Sequence, residues 1–357
     1  METNYIGING AAGRIGKLNL YQLLQLETED IEAGHKPRAV VRAINDLAPT
    51  DAIINSYRKR DQTHGNLGFR VEKLSEDRIE INGNKVMVFH KRNPAEIPWS
   101  EYGVRIVSEC SGAFKDRESA QTHLQGGAER VVISMPAKGV DGTFAMAVNH
   151  ESYNPQEHYV ISNASCTTKA LAVPLKALMD NGIKMYAVLM DTTHAATNSQ
   201  RVLQFFDEYG ALNEIQTAKT GAAIATSELI PALERKMDGY ALRVPTTDGS
   251  FANIYFVAAG EDISVGNLNR ILKTASEDPS LLGRLDYFAG EEASSTDIIG
   301  NTASSIIVAS KTKVIHLPFS GENGMQLGLC GLCSGYDNEL GPSRDLAMLL
   351  RYIASDV

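Results

Sequence analysis

Tyr5-Ile6-Gly7-Ile8-Asn9, followed at once by Gly10-Ala11-Ala12-Gly13-Arg14-Ile15-Gly16, is the stretch whose reading decides the fold. The first run is short and apolar and reads as a buried strand. From Gly16 to about Leu26 a helix is predicted, with Leu18, Leu20, Leu23 and Leu24 available for burial. Between the two, glycine permits a tight turn and lets backbone N–H groups approach a pyrophosphate at the positive end of the helix. Ala39-Val40-Val41-Arg42-Ala43-Ile44 is a second strand ending at Asn45-Asp46, and Asp46 is placed to accept hydrogen bonds from an adenosine ribose. The turn departs from the usual fingerprint, because Gly10 and Gly13 are separated by two residues rather than one. Asp46 also falls later than the usual distance of about 20 residues, a difference that the polar insert Glu27 to Pro37 can absorb. The plain alternative for Asp46 is a helix cap or a loop acid. Strand, turn, helix, strand and acid in this order predict a dinucleotide site.

Working outward, Val104 to Glu109 and Arg130 to Ser134 are further β-branched runs, with a helix-like stretch, Glu118 to Leu124, between them. This alternation predicts an α/β Rossmann domain, doubly wound on a mostly parallel sheet. After about residue 165 the texture changes. A helix, Thr168 to Met179, precedes longer strands at Met185 to Thr193, Tyr240 to Val244, Ala252 to Ala259 and Ser305 to Val308. These predict an α+β domain on a mixed or antiparallel sheet with one covered face. The expected division is therefore 1–165 for the dinucleotide-binding domain and 166–339 for the second. A C-terminal helix within 340–357, striped by Leu346, Met348, Leu349, Tyr352 and Ile353, is expected to pack back on the first domain.

Composition narrows the function classes. The chain has 357 residues, of which 43% are hydrophobic and 22% charged, enough for a sizeable core in two domains. A net charge of −9 argues against non-specific nucleic-acid or anionic-membrane binding, which needs basic patches. Apolar runs such as Met185 to Met190 are too short for a bilayer crossing. Met1-Glu2-Thr3-Asn4 opens no secretory signal, so the cytoplasm is expected. Of the four cysteines, Cys330 and Cys333 have zinc-knuckle spacing without a second pair, and strand packing is the favoured reading over a metal site.

Of the other two, Cys166 is the more suggestive. Ser162-Asn163-Ala164-Ser165-Cys166-Thr167-Thr168 precedes a predicted helix, and the positive end of a helix favours a thiolate. A thiolate adds to an aldehyde, and the resulting hemithioacetal can lose hydride to a nicotinamide and leave a thioester. His194, at the close of the strand Tyr186 to Thr193, is the candidate base. Taken alone, one cysteine and one distant histidine make a weak pair, and a buried inert thiol is the plainer reading.

These segments closely resemble the glyceraldehyde-3-phosphate dehydrogenase family along nearly the whole chain, as a divergent member. The run Ser162 to Thr168 is the family's nucleophile sequence intact. Gly126 to Ser134, Val148-Asn149-His150-Glu151, Arg243-Val244-Pro245-Thr246 and Tyr336-Asp337-Asn338-Glu339 resemble further signature pieces in the family's order. The resemblance implies Cys166 as nucleophile and His194 as general base. It implies Gly10, Gly13, Arg14 and Ile15 for the pyrophosphate, Asp46 for the ribose, and Arg92 near adenine. Ser111 and Gly112 would line the cofactor cleft, and Asn338 would fix the nicotinamide carboxamide. For phosphate groups it implies Ser165, Thr167, Thr220 and Gly221, with Thr197 and Arg243 for a second phosphate. A guanidinium suits that task through its two parallel donors.

The departures cluster where substrate would bind. Lys169 and Ala170 replace the family's asparagine and second cysteine, and Lys169 could draw an anion or lower the thiol pKa, or be an ordinary helix lysine. Ser199 stands where threonine or aspartate is common. The loop Arg201 to Ala218 is shorter and lacks an arginine cluster, offering Phe205, Phe206, Asp207, Glu208 and Glu214 instead. Gly335, Leu340 and Pro342 replace aromatic neighbours of Asn338, and Ile315 to Ser334 is expanded. Phe205 and Phe206, with the charge of Asp46, favour NAD over NADP. The expected activity is NAD-dependent, phosphorylating oxidation of glyceraldehyde 3-phosphate in glycolysis, by a homotetramer. The alternatives are the same chemistry on erythrose 4-phosphate, hydrolysis of the thioester by water, or a non-enzymatic NAD-binding protein.

Overall fold

A computed structural model of the chain describes residues 3–197, 200, 210–211, 214–321 and 324–355. It separates into two compact units: Met1–Ala145, His150–Ala164 and Pro342–Val357 form the first, and Met146–Asn149 with Ser165–Gly341 the second. The readings placed on Ser199, Phe205, Phe206, Asp207 and Glu208 lie outside the described residues. No described helix is long and apolar enough to cross a membrane.

The first unit holds strands β1 (Asn4–Asn9), β2 (Ala39–Asn45), β3 (Val71–Ser75), β4 (Arg78–Ile81), β5 (Asn84–Phe89), β6 (Val104–Glu109), β7 (Arg130–Ile133), β8 (Gly142–Thr143) and β9 (Val160–Ser162). They form one sheet in the order β3-β4-β5-β2-β1-β6-β7-β9-β8. From β5 to β8 every pairing is parallel, and β3 and β4 add an antiparallel edge. The chain winds outward on both sides of β1, so the switch point lies where β1 meets β2 and β6, and ligands of such sheets bind at the carboxyl ends there. Ile6, Ile8, Ile44, Ile106 and Val107 are fully buried, as expected for strands covered on both faces.

Helices α1 (Arg14–Glu32), α2 (Thr50–Arg58), α3 (Arg117–Ala120) and α4 (Thr122–Gln125) belong to this unit. Two sequence expectations change here. Helix α1 continues through Glu32, so much of the supposed insert is helical; buried Leu26 and Asp30 extend its packed face. The single helix expected at 118–124 is instead two short turns, α3 and α4.

The second unit contains α5 (Cys166–Asp180), α6 (Ala222–Leu229), α7 (Val265–Ser276) and α8 (Ser295–Ile298). Its strands are β10 (Lys184–Ala195), β11 (Gln216–Ala218), β12 (Met237–Val244), β13 (Ser250–Gly260), β14 (Leu285–Phe288), β15 (Ser305–Val308), β16 (Lys313–Ser320) and β17 (Gln326–Tyr336). The sheet runs β11-β12-β10-β13-β17-β15-β14, with β16 paired to β17. β10 with β12 and β14 with β15 are parallel; the other pairs are antiparallel, so the sheet is mixed. Alternation sends Val188, Met190, Thr192 and His194 of β10 to the covered face and leaves Leu189 exposed. Cys330 is buried in β17, whereas Cys333 lies three residues on and so faces the other side of the strand; the two sulfurs do not converge on one ion.

Helix α9 (Leu340–Ile353) starts in the second unit and from Pro342 onward packs in the first. Leu346, Leu349, Leu350 and Ile353 are all fully buried. Arg344 pairs with Glu29 at 2.8 Å, Arg351 pairs with buried Asp30, and Asn4 Nδ2 donates to the Ala354 carbonyl at 2.6 Å.

Candidate active site

In the first unit the phosphate-binding turn is built by contact. Gly10 has φ +78, and a Cβ there would sit 2.5 Å from Ser111 Cα. At Gly16 a Cβ would fall 2.1 Å from the Gly10 carbonyl oxygen, which makes Gly16, more than Gly13, the position where any side chain breaks the turn. Helix α1 begins behind N-cap Gly13 with no side-chain cap and no acidic residue in its first turn. A long helix whose first turn lacks a protein anion is suited to hold a phosphate. Asp46 Oδ2 accepts from Ala12 N at 2.8 Å, so this carboxylate fixes the turn itself.

Arg14 sits at the start of α1, but its Nη1 donates to Asp61 at 2.6 Å, and Lys17 Nζ joins the same carboxylate at 2.5 Å. The two cations and the backbone N–H groups of Thr63 and His64 hold Asp61 well below the usual carboxylate range despite its burial. The guanidinium therefore anchors the 61–65 loop. Ile15 follows in the same turn. Arg92 is exposed after β5, and Ser111 and Gly112, exposed after β6, share the carboxyl-end edge with Gly10 and Asp46.

In the second unit Ser165 is the N-cap of α5, accepting from Thr168 N at 3.0 Å, and Cys166 is the first helical residue. Ala164, just before the cap, has φ +55, a left-handed conformation that costs a non-glycine residue about 1–2 kcal/mol. Cys166 Sγ lies 3.4 Å from His194 Nε2. On the other side of the ring, His194 Nδ1 is 2.8 Å from the Ala195 carbonyl. A carbonyl can only accept, so Nδ1 carries the hydrogen and Nε2 presents its lone pair to the thiol.

Burial acts on both partners. It holds the His194 pKa down to about 4, helped by the positive charge of Arg243, and it pushes the Cys166 thiol up. Hydrogen bonding at Thr167 and the positive charges of Lys169 and Arg243 pull the thiol the other way. The lowering expected from a helix start is thus outweighed by desolvation, and separated charges are disfavoured on either group. Passing the proton directly from Sγ to Nε2 creates both charges together, where each offsets the other.

Other side chains converge on the pair. β12 runs beside β10 with Arg243 level with His194, and Arg243 Nη1 also donates to the Ala195 carbonyl at 3.4 Å. Tyr336, fully buried at the end of β17, places its hydroxyl 2.9 Å from Thr167 Oγ1 and 2.7 Å from Thr192 Oγ1, and its ring meets His194 edge-on at 6.0 Å. Thr167 is therefore engaged with Tyr336 before any substrate arrives. Ser250 accepts from Ala195 N at 3.1 Å and donates to Asn338 Oδ1 at 2.8 Å, tying Asn338 to the histidine's strand. Thr220 and Gly221 open α6, where Thr220 Oγ1 accepts from Ala222 N. Thr197 lies two residues past the end of β10. Lys169 is buried, 1% exposed, one turn after the thiol.

Sequence reading passed over Tyr336, Thr192 and Ser250 as individual site residues. The period-2 pattern of β10, β13 and β17 carried the signal, since each points inward at the end nearest His194.

The chain matches the glyceraldehyde 3-phosphate dehydrogenase NAD binding domain over residues 4–117 and the C-terminal domain of the same family over residues 165–325. Among curated proteins it is 37% identical to glyceraldehyde-3-phosphate dehydrogenase of Streptomyces coelicolor, over 99% of each chain. It is 38% identical to the enzyme of that name from Chlamydia pneumoniae over 97% of each, and 37% identical to that of Geobacillus stearothermophilus over 98% of each.

Proposed function

This chain belongs to the glyceraldehyde-3-phosphate dehydrogenase family, and on that footing we propose that it oxidises glyceraldehyde 3-phosphate with NAD and phosphate through a thioester on Cys166. The observation that carries the reading is the 3.4 Å approach of Cys166 Sγ to the lone-pair nitrogen of His194. The uncapped start of α1 and the glycine turn before it fit a pyrophosphate, and Asp46 beside them suits the unphosphorylated ribose of NAD. NAD, when bound, supplies the hydride acceptor.

Cys166 Sγ attacks the aldehyde carbon as its proton passes to His194 Nε2, which returns it to the carbonyl oxygen to give a hemithioacetal. His194 takes that hydroxyl proton back as hydride departs, and the thioester remains on Cys166. Phosphate then attacks the acyl carbon, an acyl phosphate leaves, and the released sulfur recovers its proton from His194. Arg243, positive and beside both groups, is suited to hold a phosphate. Ser165, Thr167, Thr197, Thr220 and Gly221 are the remaining phosphate donors in this proposal, and Asn338 the group that sets the carboxamide.

The first unit serves as the NAD-binding domain and the second as the catalytic domain. Assembly into a homotetramer, as in the family, is supported by the apolar outer face of the second sheet, where Leu189, Tyr240, Tyr255, Leu329 and Ile315 stand exposed on adjacent strands. Four free thiols suit the reducing cytoplasm.

The test is NADH formation across a panel of aldehydes with phosphate or arsenate varied. Turnover of glyceraldehyde 3-phosphate that depends on either anion is expected, and Cys166→Ser should abolish it. Turnover indifferent to both anions would replace phosphorolysis by hydrolysis. NAD binding with no aldehyde oxidised would leave only a binding protein.

A further inference from the structure

A polar chain with a buried centre crosses the carboxyl ends of the three central strands of the first sheet, and the mechanism above does not use it. At its centre is Glu109, the last residue of β6, 1% exposed. Glu109 Oε1 accepts from Ser111 N at 2.7 Å and from Ser111 Oγ at 2.5 Å. Its Oε2 accepts from Asn9 Nδ2 at 2.5 Å and faces His123 Nε2 at 2.9 Å. Asn9 Oδ1 in turn accepts from Asn45 Nδ2 at 2.7 Å, and Asn45 clamps Lys91 by both its N–H and its carbonyl. Behind the carboxylate, Trp99 Nε1 is 3.2 Å from His123 Nδ1.

The hydrogens follow from these partners. An indole N–H can only donate, so His123 Nδ1 accepts, and the ring's hydrogen lies on Nε2, pointing at Glu109. His123 is therefore neutral, and its contact with Glu109 is a hydrogen bond rather than an ion pair. Every neighbour of the carboxylate is a donor, so an isosteric amide would set N–H against N–H on one side or the other. Asn9 cannot turn over to relieve this, because Asn45 occupies its oxygen.

Four of its members adjoin, or belong to, positions that the dinucleotide site requires. Asn9 precedes Gly10, Asn45 precedes Asp46, Lys91 precedes Arg92, and Ser111 is itself the residue on which Gly10 packs. We propose that Glu109, braced by His123 and Trp99, is a positioning residue for NAD, holding the ends of β1, β2 and β6 in the spacing the cofactor needs. The inference builds on NAD as cofactor in the reading above. It extends that reading to three buried residues outside the cofactor contacts.

The experiment is calorimetric titration of the intact enzyme with NAD, alongside steady-state kinetics. Glu109→Gln should weaken NAD binding by about tenfold or more, the worth of one mispaired contact to a charged group. KM for the aldehyde should stay at the wild-type value, and kcat at saturating NAD within about twofold. His123→Phe, which removes only the brace, should weaken NAD by a smaller factor and shift the emission of Trp99, the only tryptophan of the chain. A lowered melting temperature with wild-type NAD affinity in the folded variants would overturn the proposal and leave a purely structural network. Should Glu109→Gln not fold, His123→Phe decides by the same criterion. Wild-type enzyme that binds NAD yet oxidises no aldehyde would defeat the catalytic reading alone, and the titration would still decide the role of Glu109.

Discussion

Replacing Tyr336 by phenylalanine isolates the hydroxyl that links the nucleophile's helix to the base's strand. The ring stays, so its edge-on contact with His194 is kept. Its bonds to Thr167 at 2.9 Å and to Thr192 at 2.7 Å are lost, and with them a weaker contact to Ser250. The losses are unequal. Thr192 still donates to the Phe251 carbonyl at 3.1 Å, whereas Thr167 keeps only a long contact to Cys166 Sγ at 3.9 Å. One neutral bond with a satisfied survivor and one leaving a buried hydroxyl short of a partner come to about 2–3 kcal/mol. At an unfolding entropy of about 2 cal/mol/K per residue for the unit concerned, the melting temperature should fall by about 5–8 °C. Turnover should fall by about three- to tenfold, because Thr167 is adjacent to the thiol, with NAD affinity unchanged. Differential scanning calorimetry and initial rates measure both. A variant that melts with the wild type would show that the hydroxyl bridge contributes nothing and refute the geometry assigned to it.

Burial lowers the His194 pKa to about 4, below an unfolded value near 6.5, so the unfolded chain binds more protons between these limits. Stability from this group is complete above pH 6.5 and is lost as pH falls, by about 3 kcal/mol at pH 4 and below. His194→Asn should flatten that part of the urea-midpoint profile; identical pH slopes in the two proteins would contradict it. In α9, Leu350→Ala should destabilise the protein by about 3 kcal/mol, since a fully buried leucine leaves both transfer energy and a cavity. A loss below about 1 kcal/mol in urea unfolding would mean that the helix is not firmly seated.

Much of the architecture was legible because it rests on local rules. The glycine turn between an apolar strand and a leucine-rich helix announces a doubly wound sheet, and the long alternating strands after residue 165 announce the second one. Cys166 was legible through its motif, and His194 through its position at the end of a strand. Three things were not. The length of α1 was hidden because Glu27 to Glu32 look solvated, although Asp30 is buried against Arg351. Pairing of Arg14 with Asp61 depends on a loop that returns from 47 residues away, which no local pattern encodes. Tyr336 is placed by register, through Ser250 opposite it, and register is a tertiary outcome.

The order in which the chain emerges during synthesis gives α9 a further meaning. Residues 165–341 can complete their own unit before Pro342–Val357 is made, but the first unit waits for that segment. At usual elongation rates that interval is on the order of ten seconds or more. Throughout it, the surface that will receive Leu346, Leu349, Leu350 and Ile353 stands uncovered. The part of the protein made first is thus the part finished last, and the nascent chain carries a greasy, unsealed seam until Pro342–Val357 is made.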